Sequence, residues 1–309
     1  MNMKDGYAVR LQNVTKKIGN KTIIDNLSLD ILPGEVFGFL GPNGAGKTTT
    51  IRMMVGLMAV TQGDILIHNK SIARNFKEAI SDVGAIVENP ELYGFMSGYR
   101  NLEHFANMVK GIGKDCIMET SRQVGLENRI HDKVKTYSLG MRQRLGLAQA
   151  ILHKPSVLIL DEPSNGLDPA GIREMREYLR GLAKNENTAV IVSSHLLAEM
   201  EMMCDRIGVI KDGKLIDVKE KSEFIHQDEG ESWYAFKTDK LEKAEAQLRE
   251  TFPNLEISLA GGVIKVKAVA DTVAGINAWL VKNGYLVYTI TQEVKTLEDR
   301  FLEVTGGRK

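Results

Sequence analysis

The sequence predicts an α/β fold built on a largely parallel core sheet, with a helical insertion and a small α+β module behind it. Three observations carry that expectation. From Val36 to Val218, short runs rich in Val, Ile and Leu alternate with helical stretches, as strands buried on both faces do when helices connect them. From Pro90 to His153 the strand signals fade and helical periodicity takes over. Beyond Gly230 the elements change order to strand, helix, strand, strand, helix, strand. A chain of 309 residues is long enough for about two domains.

Taken in order, "YAVRLQNVTKK" and then "LSLDI", ending at Pro33 and Gly34, read as hairpin-like strands. "EVFGFL" is a strand, followed by a helix over residues 47–57, and "DVGAIV" is the next strand. The insertion, residues 90–155, holds helices near 99–110, 114–124 and 140–153. "SVLIL", "TAVIVSS" and "RIGVIK" return to the core sheet, with a helix over 171–182 between the first two. The charged run 219–232 marks a boundary. It divides the chain into a first domain at 1–222, a linker at 223–230 and a second domain at 231–309. In the latter, "SWYAFKT", "EISLA", "VIKVKA" and "YLVYTI" are strands. "KLEKAEAQLRETF", "DTVAGINAWLVKNG" and a final "TLEDRFLEVTG" are helices. The βαββαβ order is that of a ferredoxin-like module.

Lys plus Arg and Asp plus Glu both number 40, so the formal net charge is zero. No whole-chain field draws nucleic acid or an anionic membrane, and no nucleic-acid partner is expected. The two cysteines, Cys116 and Cys204, stand far apart in no metal-type spacing. That argues against a disulfide framework and for a reducing cytosol. The N-terminus lacks an apolar signal core. No apolar run approaches the ~18–20 residues of a membrane span, so any membrane process the chain serves needs spans from another chain.

"GPNGAGKT", Gly41 to Thr48, follows a strand and opens a helix. Gly41, Gly44 and Gly46, with Asn43 between them, let backbone N–H groups converge on phosphate oxygens at a helix N-terminus. Lys47 is placed to reach the β- and γ-phosphates, Thr48 to hold Mg²⁺ and Thr49 to add a phosphate contact. "SVLILDEP" ends a strand in two carboxylates. Asp161 can hold a Mg²⁺-bound water, and Glu162 can polarise the attacking water. Alone, an acidic pair at a solvated strand end is ordinary. Its meaning comes from the phosphate cradle.

The order "GPNGAGKT", "YSLGMRQR", "LILDEPSNGLDP", "VSSHLLAEM" resembles the nucleotide-binding subunit of ABC transporters, over roughly residues 5–220. The resemblance implies a P-loop ATPase domain with a mixed core sheet and a helical subdomain. It implies ATP and Mg²⁺ as ligands, a second ATPase chain (normally an identical one) and a separate membrane permease. The place implied is the cytoplasmic side, peripheral on the inner face of the membrane through that permease. The family's signature element falls on Tyr137 to Met141, where Ser138 and Gly140 match and Tyr137, Leu139 and Met141 depart. Ser138 and Gly140 would then cap the γ-phosphate of ATP held in the opposite chain's cradle. Asp168 in "SNGLDP" would cross the dimer interface; it also reads as an N-cap before the helix from Pro169, and the two roles are compatible. His195 in "VSSHL" is similar to the histidine that senses the γ-phosphate. Arg142 and Arg144 read as well as solvated helix-face charges.

Glu88 stands where the family normally has Gln. As a carboxylate it could touch Mg²⁺ or water and signal to the permease. With "ENPELYG" around it, and with the added C-terminal module, the chain is similar to the bacitracin- and lantibiotic-type peptide exporters. Ile18 stands where the family often places an adenine-stacking aromatic. The alternative is a soluble ABC-type ATPase with an assembly or regulatory role. The single cassette and the lack of a heptad run in this chain weigh against it. A P-loop kinase or GTPase leaves Ser138, Gly140 and His195 unexplained.

Overall fold

The strands β1 (Val9–Ile18) and β2 (Lys21–Ile31) form an antiparallel hairpin. β2 begins well ahead of the apolar run "LSLDI" because the turn at Gly19 and Asn20 sends the chain straight back, pairing Ile18 with Lys21 and Lys16 with Ile24. After β3 (Val36–Leu40) and the helix α1 (Lys47–Met54), β4 (Gln62–Ile67) and the short β5 (Lys70–Ser71) join that hairpin in the order β2-β1-β4-β5. These two strands escape sequence reading, since only "ILI" within them is apolar. The computed structural model describes residues 6–220 and 231–293. They belong to two compact units, Met1–Lys221 and Ser222–Lys309.

In the first unit β3 belongs instead to a six-stranded sheet with β6 (Val83–Ile86), β7 (Val157–Asp161), β8 (Ala189–Ser194), β9 (Arg206–Lys211) and β10 (Lys214–Glu220). The order is β10-β9-β3-β8-β7-β6, parallel throughout except for β10 against β9. β3, β7 and β8 are buried at every position, which is why their sequences carry no polar alternation. Phe37, Phe39, Ile159 and Ile191 from this sheet, Ile51 and Met54 from α1, and Val9, Leu11 and Ile65 from the antiparallel sheet share one core.

A short α2 (Phe76–Ile80) precedes β6. The insertion then holds α3 (Gly98–Ala106), α4 (Lys114–Gln123) and α5 (Leu139–Ile151). Ser97 caps α3 by accepting from the Arg100 amide at 3.2 Å. After β7 comes α6 (Pro169–Glu186), and after β8 a short α7 (Leu197–Met203). α6 outruns the expected span at both ends. Its cap at Asp168 with Pro169 in the first turn starts it early, and Asn187 in the left-handed region ends it. Cys204 is fully buried.

The second unit runs β11 (Ser232–Thr238), α8 (Leu241–Thr251), β12 (Glu256–Ala260), β13 (Val263–Ala268), α9 (Ala270–Lys282) and β14 (Val287–Glu293). Its sheet is antiparallel, in the order β12-β13-β11-β14. Phe236, Leu248, Ile264, Val266, Ile276 and Leu280 form its own core. The expected linker at 223–230 and the expected helix over 296–306 lie outside the described residues. Among the described residues no helix is long and apolar enough to cross a membrane.

Candidate functional site

Four of the sequence motifs leave the C-terminal ends of parallel strands. The Gly-rich loop follows β3, Glu88 follows β6, Asp161 and Glu162 end β7, and His195 follows β8. In the sheet these strands stand as β3-β8-β7-β6. The motifs are therefore reordered in space, with His195 leaving the strand between the loop and the acidic pair. The crevice outside the carboxyl ends of such strands is where open α/β sheets bind ligands.

The loop from Gly41 to Gly46 ends at α1 without a side-chain cap and without an acid in the first turn. The first N–H groups of α1 therefore have no helical or side-chain acceptor, the arrangement that suits an anion. Gly46 sits at φ 112°, and a Cβ there would lie 2.4 Å from Ile24 Cδ1. Only glycine fits this approach. Asn43 and Gly44 are exposed, while Thr48 and Thr49 are half-buried in the first turn. The Lys47 side chain is only 6% exposed. Its Nζ donates to the Gly41 carbonyl at 2.7 Å and to that of Pro42 at 3.4 Å.

Asp161 is 3% exposed, and its Oδ1 accepts from the Ser193 hydroxyl at 2.5 Å. The same hydroxyl accepts from the Glu162 amide at 3.0 Å. Asp161 and Ser193 are register partners of β7 and β8, so the strand pairing itself fixes both contacts. Glu162 takes a left-handed conformation, φ 50°, rare for a residue with a side chain. Its Oε1 lies 3.5 Å from Lys47 Nζ and its Oε2 2.9 Å from His195 Nδ1. Lys47, Glu162 and His195 are thus gathered, with Asp161 beside them. Among the described residues, no group of three or more His, Cys, Asp or Glu side chains is arranged to hold a metal unaided. A cation at Asp161 would need water or phosphate oxygens to complete its shell.

The segment from Tyr137 to Met141 opens α5. Ser138 is its N-cap and accepts from the Met141 amide at 3.2 Å. Tyr137, at a departure from the signature, is buried and donates its hydroxyl to the Arg129 carbonyl at 2.6 Å. Burial raises its pKa, Asp132 adds to the rise, and Arg129 opposes it. Leu139 is exposed and lies over Gly166, where a Cβ would come within 2.3 Å of Leu139 Cδ2. A Cβ on Gly140 would meet Leu167 Cδ2 at 3.4 Å. The signature segment and "SNGLDP" therefore touch within one chain. Asp168 caps α6, accepting from the Gly171 amide at 2.8 Å. Arg142 donates to the Tyr137 carbonyl at 3.3 Å, and Arg144 pairs with Glu174. No hydrogen bond or ion pair among the described residues links Ser138 or Gly140 to Lys47, Glu162 or His195.

Glu88 also stands apart. It takes φ 66°, is 55% exposed and pairs with Arg52, which lies one turn beyond Thr48 on the same face of α1. Ile18, at the end of β1, is 53% exposed. Sequence reading passed over Ser164, Ser193, Ser194 and Glu199, which join the ends of β7 and β8 to α7. The signal for Glu199 was faint: one of two acids, Glu199 and Glu201, set among methionines in "HLLAEMEMM".

Comparison with known proteins agrees with the arrangement. The family model described as ABC transporter matches residues 24–165. The uncharacterized ABC transporter ATP-binding protein YhcH of Bacillus subtilis (strain 168) is 54% identical over 302 residues, 97% of each chain. The bacitracin transport ATP-binding protein BcrA of Bacillus licheniformis is 38% identical over 301 residues, again 97% of each chain. A solved structure described as an ATP binding subunit of an ABC transporter superposes with a TM-score of 0.64 at 26% identity, covering 71% of this chain and 92% of that one. Likeness that runs almost end to end, on a fold that sets a phosphate loop beside a strand-end acid pair, leaves one conclusion: this chain belongs to the ATP-binding proteins of ABC transporters and is an ATPase.

Proposed function

We propose that the chain binds ATP with Mg²⁺ at the Gly41–Thr49 loop, hydrolyses it with Glu162 as the general base, and thereby drives a separate membrane permease that exports a peptide antibiotic of the bacitracin or lantibiotic class. The observation that carries the reading is the convergence of Lys47 and His195 on Glu162 beside the uncapped end of α1. Gly41, Gly44, Gly46 and the amides of Lys47 to Thr49 hold phosphate. Lys47 Nζ turns from the Gly41 and Pro42 carbonyls to the β- and γ-phosphates. Glu162 takes the proton of the attacking water, and His195 orients that water and the γ-phosphate from the other side of the carboxylate. Thr48 and Asp161 would hold Mg²⁺, with Glu88 an outer contributor through water. When bound, the ion neutralises charge on the phosphate oxygens.

Among the described residues Ser138 and Gly140 share no hydrogen bond or ion pair with this group. That supports a role in the site of a second, identical chain, with Asp168 at the same dimer interface. Residues 1–222 are the nucleotide-binding domain, with its helical subdomain at about 90–155, and 231–309 are an accessory domain. Beside Glu88 a groove of about 350 Å³ runs between Leu57, Val87, Pro90 and Gly146. Gln149 lines it, and among the described residues its buried Oε1 has no hydrogen-bond partner. The groove supports docking of a permease segment, which would hold the chain on the inner face of the membrane. The sequence relationship to BcrA supports the substrate class.

The test is Glu162→Gln in an ATPase assay. Turnover should fall by ~10²-fold or more while ATP binding persists, and a variant near the wild-type rate would refute the assignment. Mixing Ser138→Arg chains with Lys47→Ala chains should restore activity if Ser138 acts across the dimer. Mixed dimers without recovery would refute that part.

A further inference from the structure

Ser193 and Ser194 are consecutive residues of β8, so their side chains leave opposite faces of the sheet. Ser193 binds Asp161 and the Glu162 amide directly. Ser194 works on the other face, where its hydroxyl donates to Glu199 Oε2 at 3.4 Å and accepts from the Leu196 amide at 2.9 Å. The same Glu199 oxygen accepts the hydroxyl of Ser164. All three side chains are buried, Ser164 at 6%, Ser194 at 1% and Glu199 at 9% exposure. Among the described residues Glu199 has two serine hydroxyls for partners and no cation. A buried carboxylate is costly without a counter-charge, so each hydroxyl bond matters to where it sits.

What Glu199 joins is specific. Ser164 is two residues past Glu162, and Ser194 immediately precedes His195. The helix carrying Glu199 is itself pressed onto the sheet. A Cβ at Gly38 of β3 would lie 2.5 Å from Met200 Sδ and 2.7 Å from Cys204 Sγ. α7 is therefore a firm anchor, and the turn after β7 and the last residue of β8 are tied to it at one oxygen.

We propose that Glu199 is a positioning residue of the ATPase reaction. Through Ser164 and Ser194 it holds the chain after Glu162 and the chain before His195 at the separation that brings His195 Nδ1 to 2.9 Å from Glu162 Oε2. It touches no nucleotide itself. The proposal rests on the reading of Glu162 as the base.

The experiment measures kcat and KM for ATP hydrolysis by the full-length protein. It adds the Kd of a non-hydrolysable ATP analogue, with each variant held well below its melting transition. Glu199→Ala and Ser164→Ala should each lower kcat roughly ten- to a hundred-fold, the scale of a displaced catalytic group. KM and analogue affinity should stay within about twofold, since the interaction matters in the reaction and not in binding. Glu199→Gln keeps an acceptor oxygen and should recover most of the rate. The Glu199→Ala, Ser164→Ala double variant should be no slower than the slower single one, because the two act as a unit. A purely structural role would lower stability and leave kcat per binding-competent molecule unchanged. That result, or affinity falling in step with kcat, or additive losses, overturns the proposal. If Glu199→Ala does not fold, Ser164→Ala and Ser194→Ala decide on the same criteria. Glu162→Gln in the same assay separates the two claims. A fast Glu162→Gln enzyme removes the base and this proposal with it. A dead one beside a fully active Ser164→Ala enzyme removes this proposal alone.

Discussion

Glu162 occupies a backbone conformation that favours glycine, φ 50°, at the position proposed for the chemistry. For a residue with a Cβ the left-handed region costs roughly 1–2 kcal/mol. Glycine escapes that cost but gives up about 0.5–1 kcal/mol in the freedom it gains when unfolded. Glu162→Gly should therefore be about 0.5–1 kcal/mol more stable than Glu162→Ala. The comparison is clean because both lack the carboxylate, and both leave Lys47 and His195 without the partner they hold at 3.5 and 2.9 Å. For a unit of this size the gap is roughly 1–4 °C in Tm, read by calorimetry on the first transition. In the ATPase assay the two should be equally poor, each slower than wild type by ~10²-fold or more, about 2.7 kcal/mol of barrier. A glycine variant melting at or below the alanine variant would show that the turn after β7 stores no strain. A constrained backbone would then not be what aims this carboxylate.

Tyr137→Phe removes the hydroxyl that satisfies the Arg129 carbonyl at 2.6 Å. It should cost about 1–2 kcal/mol in urea unfolding, and an unchanged midpoint would show the bond contributes nothing. Glu35 is buried, which raises its carboxyl above the ordinary range against the opposing Leu32 amide and Arg206. Its protonated form is favoured in the fold, so this contribution is full below the ordinary carboxylate value and is lost as pH rises through the raised one. Across that acid window the stability of wild type relative to Glu35→Gln should fall with rising pH, and a constant difference would refute the linkage. Glu88→Ala breaks an exposed pair with Arg52 worth about 0–1 kcal/mol. Stability and basal ATPase activity should hold while peptide export or resistance drops, and wild-type export would reduce Glu88 to a surface charge.

Much of the fold was legible because its strands are buried on both faces. "SVLIL" and "TAVIVSS" carry no polar alternation and could be read as core strands from composition alone. β4 and β5 were missed because a strand with half-exposed, polar residues has no such mark. Helix ends were read from periodicity, and α6 was cut short because its limits depend on the Asp168 cap and the left-handed Asn187. At the site, the Gly-rich loop and the acid pair announced themselves because their chemistry needs particular residues at fixed spacing. Glu199 did not, because its meaning lies in two serines, one of them 35 positions away, that meet it only in the fold.

The spatial logic of the site could not be read from chain order at all. Along the chain the motifs run loop, Glu88, Asp161 with Glu162, then His195. The sheet sets β8 between β3 and β7, so the last motif in sequence enters between the first and the third. This insertion lets one carboxylate meet Lys47 with one oxygen and His195 with the other. The same order puts Glu88 beyond β7, at the edge strand β6, where it is half-exposed and turned to Arg52. Both acids leave the ends of neighbouring strands in left-handed conformations, φ 50° at Glu162 and φ 66° at Glu88, yet their surroundings differ. Glu162 is 18% exposed between two nitrogen donors, and Glu88 is 55% exposed on one guanidinium. An electrostatic interaction strengthens as water is excluded and weakens where solvent screens it. These positions suit the proposed roles: Glu162 to act on a reacting water, and Glu88 to exchange one partner for another if the groove beside it is filled.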